Sequence, residues 1–144
     1  MEGNTKLEWR FVKNPATEKS LNNLENEFDI LLPSTYRILM KLYNGGRPKP
    51  NKYYIQQEER VVKSFLNVYP VKGGVKDVVS WLELPQKVIP FANDPFGNYL
   101  CFDYRNISYM EPTIVLWEHE KNRLVIVEQS FEAFLRMLKK GVNN

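Results

Sequence analysis

The sequence predicts an α+β fold: a single central, largely antiparallel (mixed) β-sheet flanked by helices. Three observations point there. Helix, helix, strands, short helix, strands, helix is a segregated order with short links, unlike the regular alternation of a doubly wound parallel sheet. Thr113–Glu118 and Arg123–Glu128 are joined by only His119-Glu120-Lys121-Asn122, which predicts an antiparallel hairpin. Their interiors, Ile114-Val115-Leu116-Trp117 and Leu124-Val125-Ile126-Val127, are apolar at every position, which predicts a sheet covered on both sides there.

Each element has a local reason. After Asn14-Pro15, Thr17 is a candidate N-cap for a first helix whose inner face carries Leu21, Leu24 and Phe28. Asp29-Ile30-Leu31-Leu32-Pro33 ends it, because a residue before proline avoids helical geometry. Pro33 suits the first turn of a second helix with Tyr36, Leu39, Met40 and Tyr43 as its stripe. Asn44-Gly45-Gly46 stops this helix, since a glycine just past a helix end adopts the left-handed geometry that satisfies free carbonyls.

Lys52–Gln56 and Val61–Val71 read as strands by their Tyr, Ile, Val and Phe content, the second ending at Gly73-Gly74. Val75–Leu82 reads as a short helix closed by Pro85. Val88–Ala92 and Tyr99–Tyr104 are strands linked by the turn-formers Asn93-Asp94-Pro95-Phe96-Gly97-Asn98. The last helix opens at Ser130, buries Phe131, Phe134, Leu135 and Leu138, and ends with Lys139 and Lys140, where the helix dipole favours cations. No repeat, low-complexity tract or long linker divides the chain, so residues 1–144 are expected to form one domain.

Composition bounds the function. The 144 residues include 43% hydrophobic and 26% charged positions and one cysteine, the profile of an ordinary globular domain. A chain of this size buries roughly 68–70% of its unfolded surface without staples. Cys101 lies in the apolar run Asn98–Phe102 and is expected to be a buried, inert thiol. The first residues, Met1–Lys6, lack a signal pattern, and no apolar run approaches the roughly 20 residues that span a bilayer. The expectation is a cytoplasmic protein without membrane contact.

The net charge of +3 is uneven: Met1–Tyr36 carries −2, Arg37–Lys76 carries +7, and the remainder carries −2. A basic middle third favours an anionic partner through long-range steering. Its cations are dispersed, however, without the consecutive block that marks a nucleic-acid arm.

Catalytic chemistry finds little support. His119, the one histidine, lies in the predicted hairpin turn between Glu118 and Glu120, with no Gly-hemmed nucleophile nearby. One His and one distant Cys make a poor zinc set. Asp94, Asp103, Glu118 and Glu120 offer a generic carboxylate group for Mg²⁺, but Asp94 fits an Asx turn and the two glutamates flank a hairpin. No phosphate-cradling Gly-Lys-Ser/Thr loop or Gly-x-Gly-x-x-Gly turn occurs. Neither metal nor cofactor nor enzymatic activity is expected, and binding is the default function.

Three segments occur in a telling order. Leu32-Pro33-Ser34-Thr35-Tyr36 and Asn44-Gly45-Gly46 follow a helix carrying Glu25. Ile89–Asp94 then precedes Gly97-Asn98 and Cys101-Phe102-Asp103, and Ile114–Trp117 and Val125–Val127 lead into Ser130–Leu135. Over about Thr17 to Leu138 this resembles the SMI1/KNR4 family, the SUKH superfamily. The resemblance implies an SMI1/KNR4-like α+β fold without known catalysis. Many bacterial members are immunity proteins that bind and neutralise a cognate polymorphic toxin, often a nuclease; others are regulators or adaptors. The motif residues Pro33, Tyr36, Asn44, Gly45, Gly46, Asp94, Gly97 and Phe131 read as structural.

The partner surface is expected at Tyr53, Tyr54, Arg60, Phe96, Tyr109 and Glu111, because aromatics and Arg anchor interfaces out of proportion to their number. Inhibitors of basic nucleases often present acidic faces, whereas this chain is net basic. Either its target is acidic where it meets the middle third, or contact uses the acidic flanks. Three readings result: a toxin-binding immunity protein first, a regulatory adaptor or nucleic-acid-associated protein using the basic middle third second, and a Mg²⁺ nuclease through Asp94, Asp103 and Glu118 last.

Overall fold

The computed structural model describes residues 6–106 and 111–141. In chain order these form β1 (Glu8–Arg10), α1 (Glu18–Phe28), α2 (Ser34–Tyr43), β2 (Arg47–Lys49), β3 (Lys52–Ile55), β4 (Glu58–Val61), β5 (Ser64–Phe65), α3 (Val75–Trp81), β6 (Val88–Asn93), β7 (Tyr99–Asp103), β8 (Thr113–Glu118), β9 (Arg123–Glu128) and α4 (Phe131–Lys140). The fold is α+β. A five-stranded sheet in the order β5-β6-β7-β8-β9 is antiparallel throughout, and β1-β2 and β3-β4 form two small ribbons beside it.

The helix starts follow from capping. Thr17 Oγ1 accepts the Ser20 N–H at 3.0 Å while Ser20 Oγ accepts the Thr17 N–H at 2.8 Å, a reciprocal box that satisfies two free donors of α1. Pro33 stands at the N-cap of α2, one residue ahead of the expected first turn. Glu25 ties the two helices together: its Oε2 accepts the Leu32 N–H at 2.8 Å and meets Arg37 at 3.1 Å. Past α2, Gly45 takes φ +68°, and Lys13 Cγ lies 2.6 Å from where a Cβ would stand. At α4, Ser130 Oγ accepts the Ala133 N–H at 3.1 Å.

One expected strand needs correction, and one ribbon was not expected. Val61–Val71 is not one strand, because its backbone changes partners midway. The Val62 N–H donates to Asn51 O beside the β3-β4 ribbon, while the next N–H, of Lys63, donates to Asn93 O at the end of β6. The ribbon β1-β2 had no sequence signal, being three residues a side with Pro48 opposite Trp9. Pro48 is tolerated there as proline is at strand edges.

The five-stranded sheet has unequal sides. Its inner side contributes Ile89, Phe91, Leu100, Phe102, Ile114 and Leu116 to a core closed by Leu21 and Leu24 of α1, Tyr36 and Met40 of α2, and Phe131, Phe134 and Leu138 of α4. Phe91 and Phe102 stack at 4.4 Å, and Tyr36 and Phe131 pack edge-on against both. The outer side buries only a small cluster, Val88, Cys101 and Val115, flanked by Leu84, Tyr99, Trp117 and Leu124. Burial pushes the Cys101 thiol far above its ordinary range, with the Asp103 charge adding to the effect. Coverage of both sides therefore holds at Val115 but fails along β9, where Ile126 is 62% exposed. No described helix is long and apolar enough to cross a membrane.

Candidate partner-binding surface

The residues expected to meet a partner are not gathered into one patch. Tyr53 is 0% exposed, its ring edge-on to Phe134 at 5.6 Å, so a folded chain cannot offer it to a partner. Alternation along β3 explains the error: Tyr53 and Ile55 point into the core while Tyr54 is half-buried, its N–H donating to Met137 Sδ at 3.2 Å. Arg60 is engaged internally, its guanidinium 2.8 Å from Glu118 Oε2. Glu118 also accepts from Arg123 at 2.6 Å, and these two contacts hold its carboxyl below its ordinary range despite burial. Glu111 is exposed ahead of β8, whereas Arg60 docks at the far end of that strand. Tyr109 lies outside the described residues.

Phe96 differs. It sits in the β6–β7 turn, 73% exposed. Asp94 builds that turn: its Oδ1 accepts the N–H groups of Phe96 at 2.8 Å and Asn98 at 2.9 Å, and its Oδ2 accepts Asn98 Nδ2 at 2.9 Å. Gly97 takes φ +87° beside the His119 ring, and Asn98 Oδ1 accepts the His119 N–H at 2.8 Å. One carboxylate thus fixes a turn that presents an aromatic ring to solvent and ties it to the β8–β9 hairpin.

Beside this turn runs a groove of about 520 Å³ on the outer side of the sheet, lined by Trp81, Tyr99, Trp117 and His119, with Gly97, Glu83 and Asn122 among its rim residues. Trp81, at the end of α3, is 53% exposed and meets Tyr99 edge-on at 6.0 Å. Trp117 and His119, two residues apart on β8 and its turn, pack at 5.6 Å. Sequence reading missed these rings. Strand alternation could have found Trp117, two residues beyond Val115 on the outer side, and Trp81 falls off the Val75-Val78-Val79-Leu82 stripe that turns α3 inward.

A model of the family described as SMI1-KNR4 cell-wall matches residues 18–135. The chain belongs to the SMI1-KNR4 family. No curated protein shows significant similarity to it.

In this SMI1-KNR4 protein the motif residues have identifiable physical work. Pro33 opens α2, and Tyr36 and Phe131 fill the aromatic core. Asn44 is fully buried: its Nδ2 donates to Asn14 O and Asn67 Oδ1, both at 2.8 Å, and its Oδ1 accepts the Val68 N–H at 2.9 Å. Gly45 turns the chain over Lys13, and Gly46 leaves room for Trp9 and Val12, each 3.2 Å from where a Cβ would stand. Three of the four carboxylates weighed for Mg²⁺ are otherwise engaged: Asp94 holds its turn, Asp103 pairs with Arg105 at 2.9 Å, and Glu118 lies between two arginines, while Glu120 is exposed in the β8–β9 turn. Among the described residues no three His, Cys, Asp or Glu side chains form a group able to hold a metal ion.

Proposed function

We propose that this SMI1-KNR4 protein acts without catalysis, as an immunity-type protein that neutralises a cognate toxin by stoichiometric binding. The observation that carries the reading is the aromatic groove with its adjoining turn. Trp81, Tyr99, Trp117 and Phe96 put large aromatic rings at and beside the outer side of the sheet, and such rings dominate interface energetics while losing little conformational freedom. Exposed apolar surface of this kind marks interaction sites. Family membership supports a protein as the occupant.

The test is inhibition of the cognate toxin by the purified chain. The expected result is a titration that breaks at a fixed molar ratio, with the break lost in a Trp81→Ala, Trp117→Ala double variant that still unfolds cooperatively. Turnover of the toxin or its substrate by this chain alone would contradict the proposal.

A further inference from the structure

Folding divides the cations of the basic middle third into two groups. Arg37, Lys41, Lys52, Arg60 and Lys76 each meet a glutamate. Arg47, Lys49, Lys63 and Lys72 make no ion pair among the described residues. Arg47 and Lys72 instead line a cleft of about 160 Å³, where Lys13 joins them with Ser64, Asn67 and Asn93. Among the described residues no carboxylate lines this cleft. The acid bonded to its wall, Asp77, accepts the Gly73 N–H (2.8 Å) and the Trp81 indole N–H (3.3 Å) through Oδ2, and its charge also interacts with Lys72 without forming an ion pair.

The two amides add donors to these cations. Asn67 Oδ1 accepts Asn44 Nδ2 at 2.8 Å and the Tyr69 N–H at 2.9 Å. Asn93 Oδ1 accepts both the N–H and the hydroxyl of Ser64, each at 3.1 Å. Those donors fix which way each amide is turned, because only the carbonyl oxygen can accept them. Both Nδ2 groups are left without an acceptor among the described residues. Three cations and two amide donors around one small space make a receptor for an oxyanion.

The cations are also held at a cost to the fold. Arg10 and Arg47 stand directly opposite each other in the β1-β2 ribbon, and like charges so placed repel. The Arg47 guanidinium lies over the Phe11 ring at 5.0 Å, which orients it, while Phe11 itself is 67% exposed.

We infer that this cleft receives a carboxylate side chain from an acidic segment of the protein partner. The inference rests on the protein-binding reading above and gives that partner its chemistry. A protein fits better than a nucleic acid for two reasons. The space admits one small anionic group. Its exposed ring, Phe11, already carries a guanidinium, where strand binding uses bare rings for base stacking. The cleft and the aromatic groove are separate but tied together through Asp77, whose Oδ2 accepts the N–H of Gly73 on the one and the indole N–H of Trp81 on the other. One acidic, apolar-tipped partner surface can therefore engage both.

The experiment follows the Asn67 and Asn93 side-chain amide signals by NMR in the full chain at physiological salt. Three probes are added separately: a capped decapeptide of Glu and Asp, single-stranded DNA of equal charge, and inorganic phosphate. Saturable shifts of both amides with the peptide are expected, with binding at least tenfold weaker in a Lys13→Ala, Arg47→Ala, Lys72→Ala variant whose thermal midpoint is unchanged or raised. Tighter binding of the DNA at the same amides, a response to phosphate alone, or shifts spread over all lysine-bearing surfaces would overturn the inference. The toxin separates the two claims. If the native chain binds it and the triple variant binds equally well, the cleft assignment fails while the immunity reading stands. If the native chain does not bind it, the immunity reading fails first.

Discussion

The two sides of the five-stranded sheet are built from the same strands and serve opposite ends. On β8, Ile114 and Leu116 enter the aromatic core, while Val115 and Trp117 turn to the outer side, where Trp117 is only half-buried. On β7, Leu100 and Phe102 alternate in the same way with Tyr99 and Cys101. The inner side is closed by α1, α2 and α4, with Val75 and Val78 of α3 joining the same core. The outer side has one small apolar cluster and an aromatic groove. On the proposed function, strand alternation separates stability from recognition residue by residue, and a substitution should affect one or the other according to its parity.

The largest effect expected is on the inner side. Phe91→Ala removes a ring that stacks on Phe102 and packs against Tyr36, Phe65, Phe131 and Phe134. A loss of about 3–5 kcal/mol is expected, read from urea unfolding. That is a large share of the roughly 5–15 kcal/mol available to a domain. Trp81→Ala, on an exposed ring, should cost under about 1 kcal/mol in the same measurement, as for surface substitutions. Equal costs at the two sites would erase the distinction between the sides.

Asn44 extends the inner side's logic to polar groups. Asn44→Ala leaves the buried Val68 N–H without its acceptor and Asn67 Oδ1 without one of its donors. A buried donor so orphaned costs about 1–3 kcal/mol, and a stability loss near the top of that range is expected, since more than one contact goes. Asn67 also lines the cationic cleft, so its side-chain amide signal should broaden or move in this variant even without a ligand.

On the outer side the expected effect is on binding. Trp81→Ala with Trp117→Ala should weaken toxin affinity by about 2 kcal/mol or more, the level of an interface hot spot, which is a factor of roughly 30. Calorimetry on purified partners reads it directly. Unchanged affinity would move the interface elsewhere.

How much of this the sequence discloses depends on whether a signal is local. Thr17, Gly45 and Ser130 act within their own turns, so the ends of α1, α2 and α4 could be placed closely. The β8–β9 hairpin was legible for the same reason, as was the turn carrying Phe96. Partnering across the chain is not local. Nothing in Val61–Lys63 reports that adjacent N–H groups go to different sheets. Nor do the nine cations from Arg37 to Lys76 say which of them folding will pair. The aromatic groove needs α3 to lie beside β7 and β8, so only the parity of Trp117 was visible beforehand.

Acid tests the junction between the ribbon and the sheet. Arg123 and Arg60 hold the Glu118 carboxyl below its ordinary 4.5. A carboxyl lowered on folding adds stability that is present above its unfolded value and lost as pH falls through its folded one. Unfolding free energy should thus decline below about pH 4.5, and Glu118→Gln should be less stable at neutral pH with a shallower acid slope. Asp77 and Asp103 are also lowered and should supply the slope that remains. Parallel curves for the two proteins would show that the Arg60–Glu118–Arg123 group contributes nothing to acid sensitivity.

The smallest effect concerns the residue whose placement sequence reading had wrong. Tyr53 is wholly buried against Phe134, yet its hydroxyl has no hydrogen-bond partner among the described residues. Burial, followed by the nearby Asp94 charge, drives its ionisation far above the ordinary tyrosine range. The ring contributes packing, while the hydroxyl has given up water and gained no partner in return, a situation that costs free energy. Tyr53→Phe should therefore be neutral or stabilising by up to about 1 kcal/mol, and toxin binding should not change, because the side chain never reaches the surface. If Tyr53→Phe instead weakened binding while leaving the unfolding midpoint in place, the β3-β4 ribbon would have to open in the complex. The inner side of the molecule would then take part in recognition, and the separation drawn from strand parity would not extend to this ribbon.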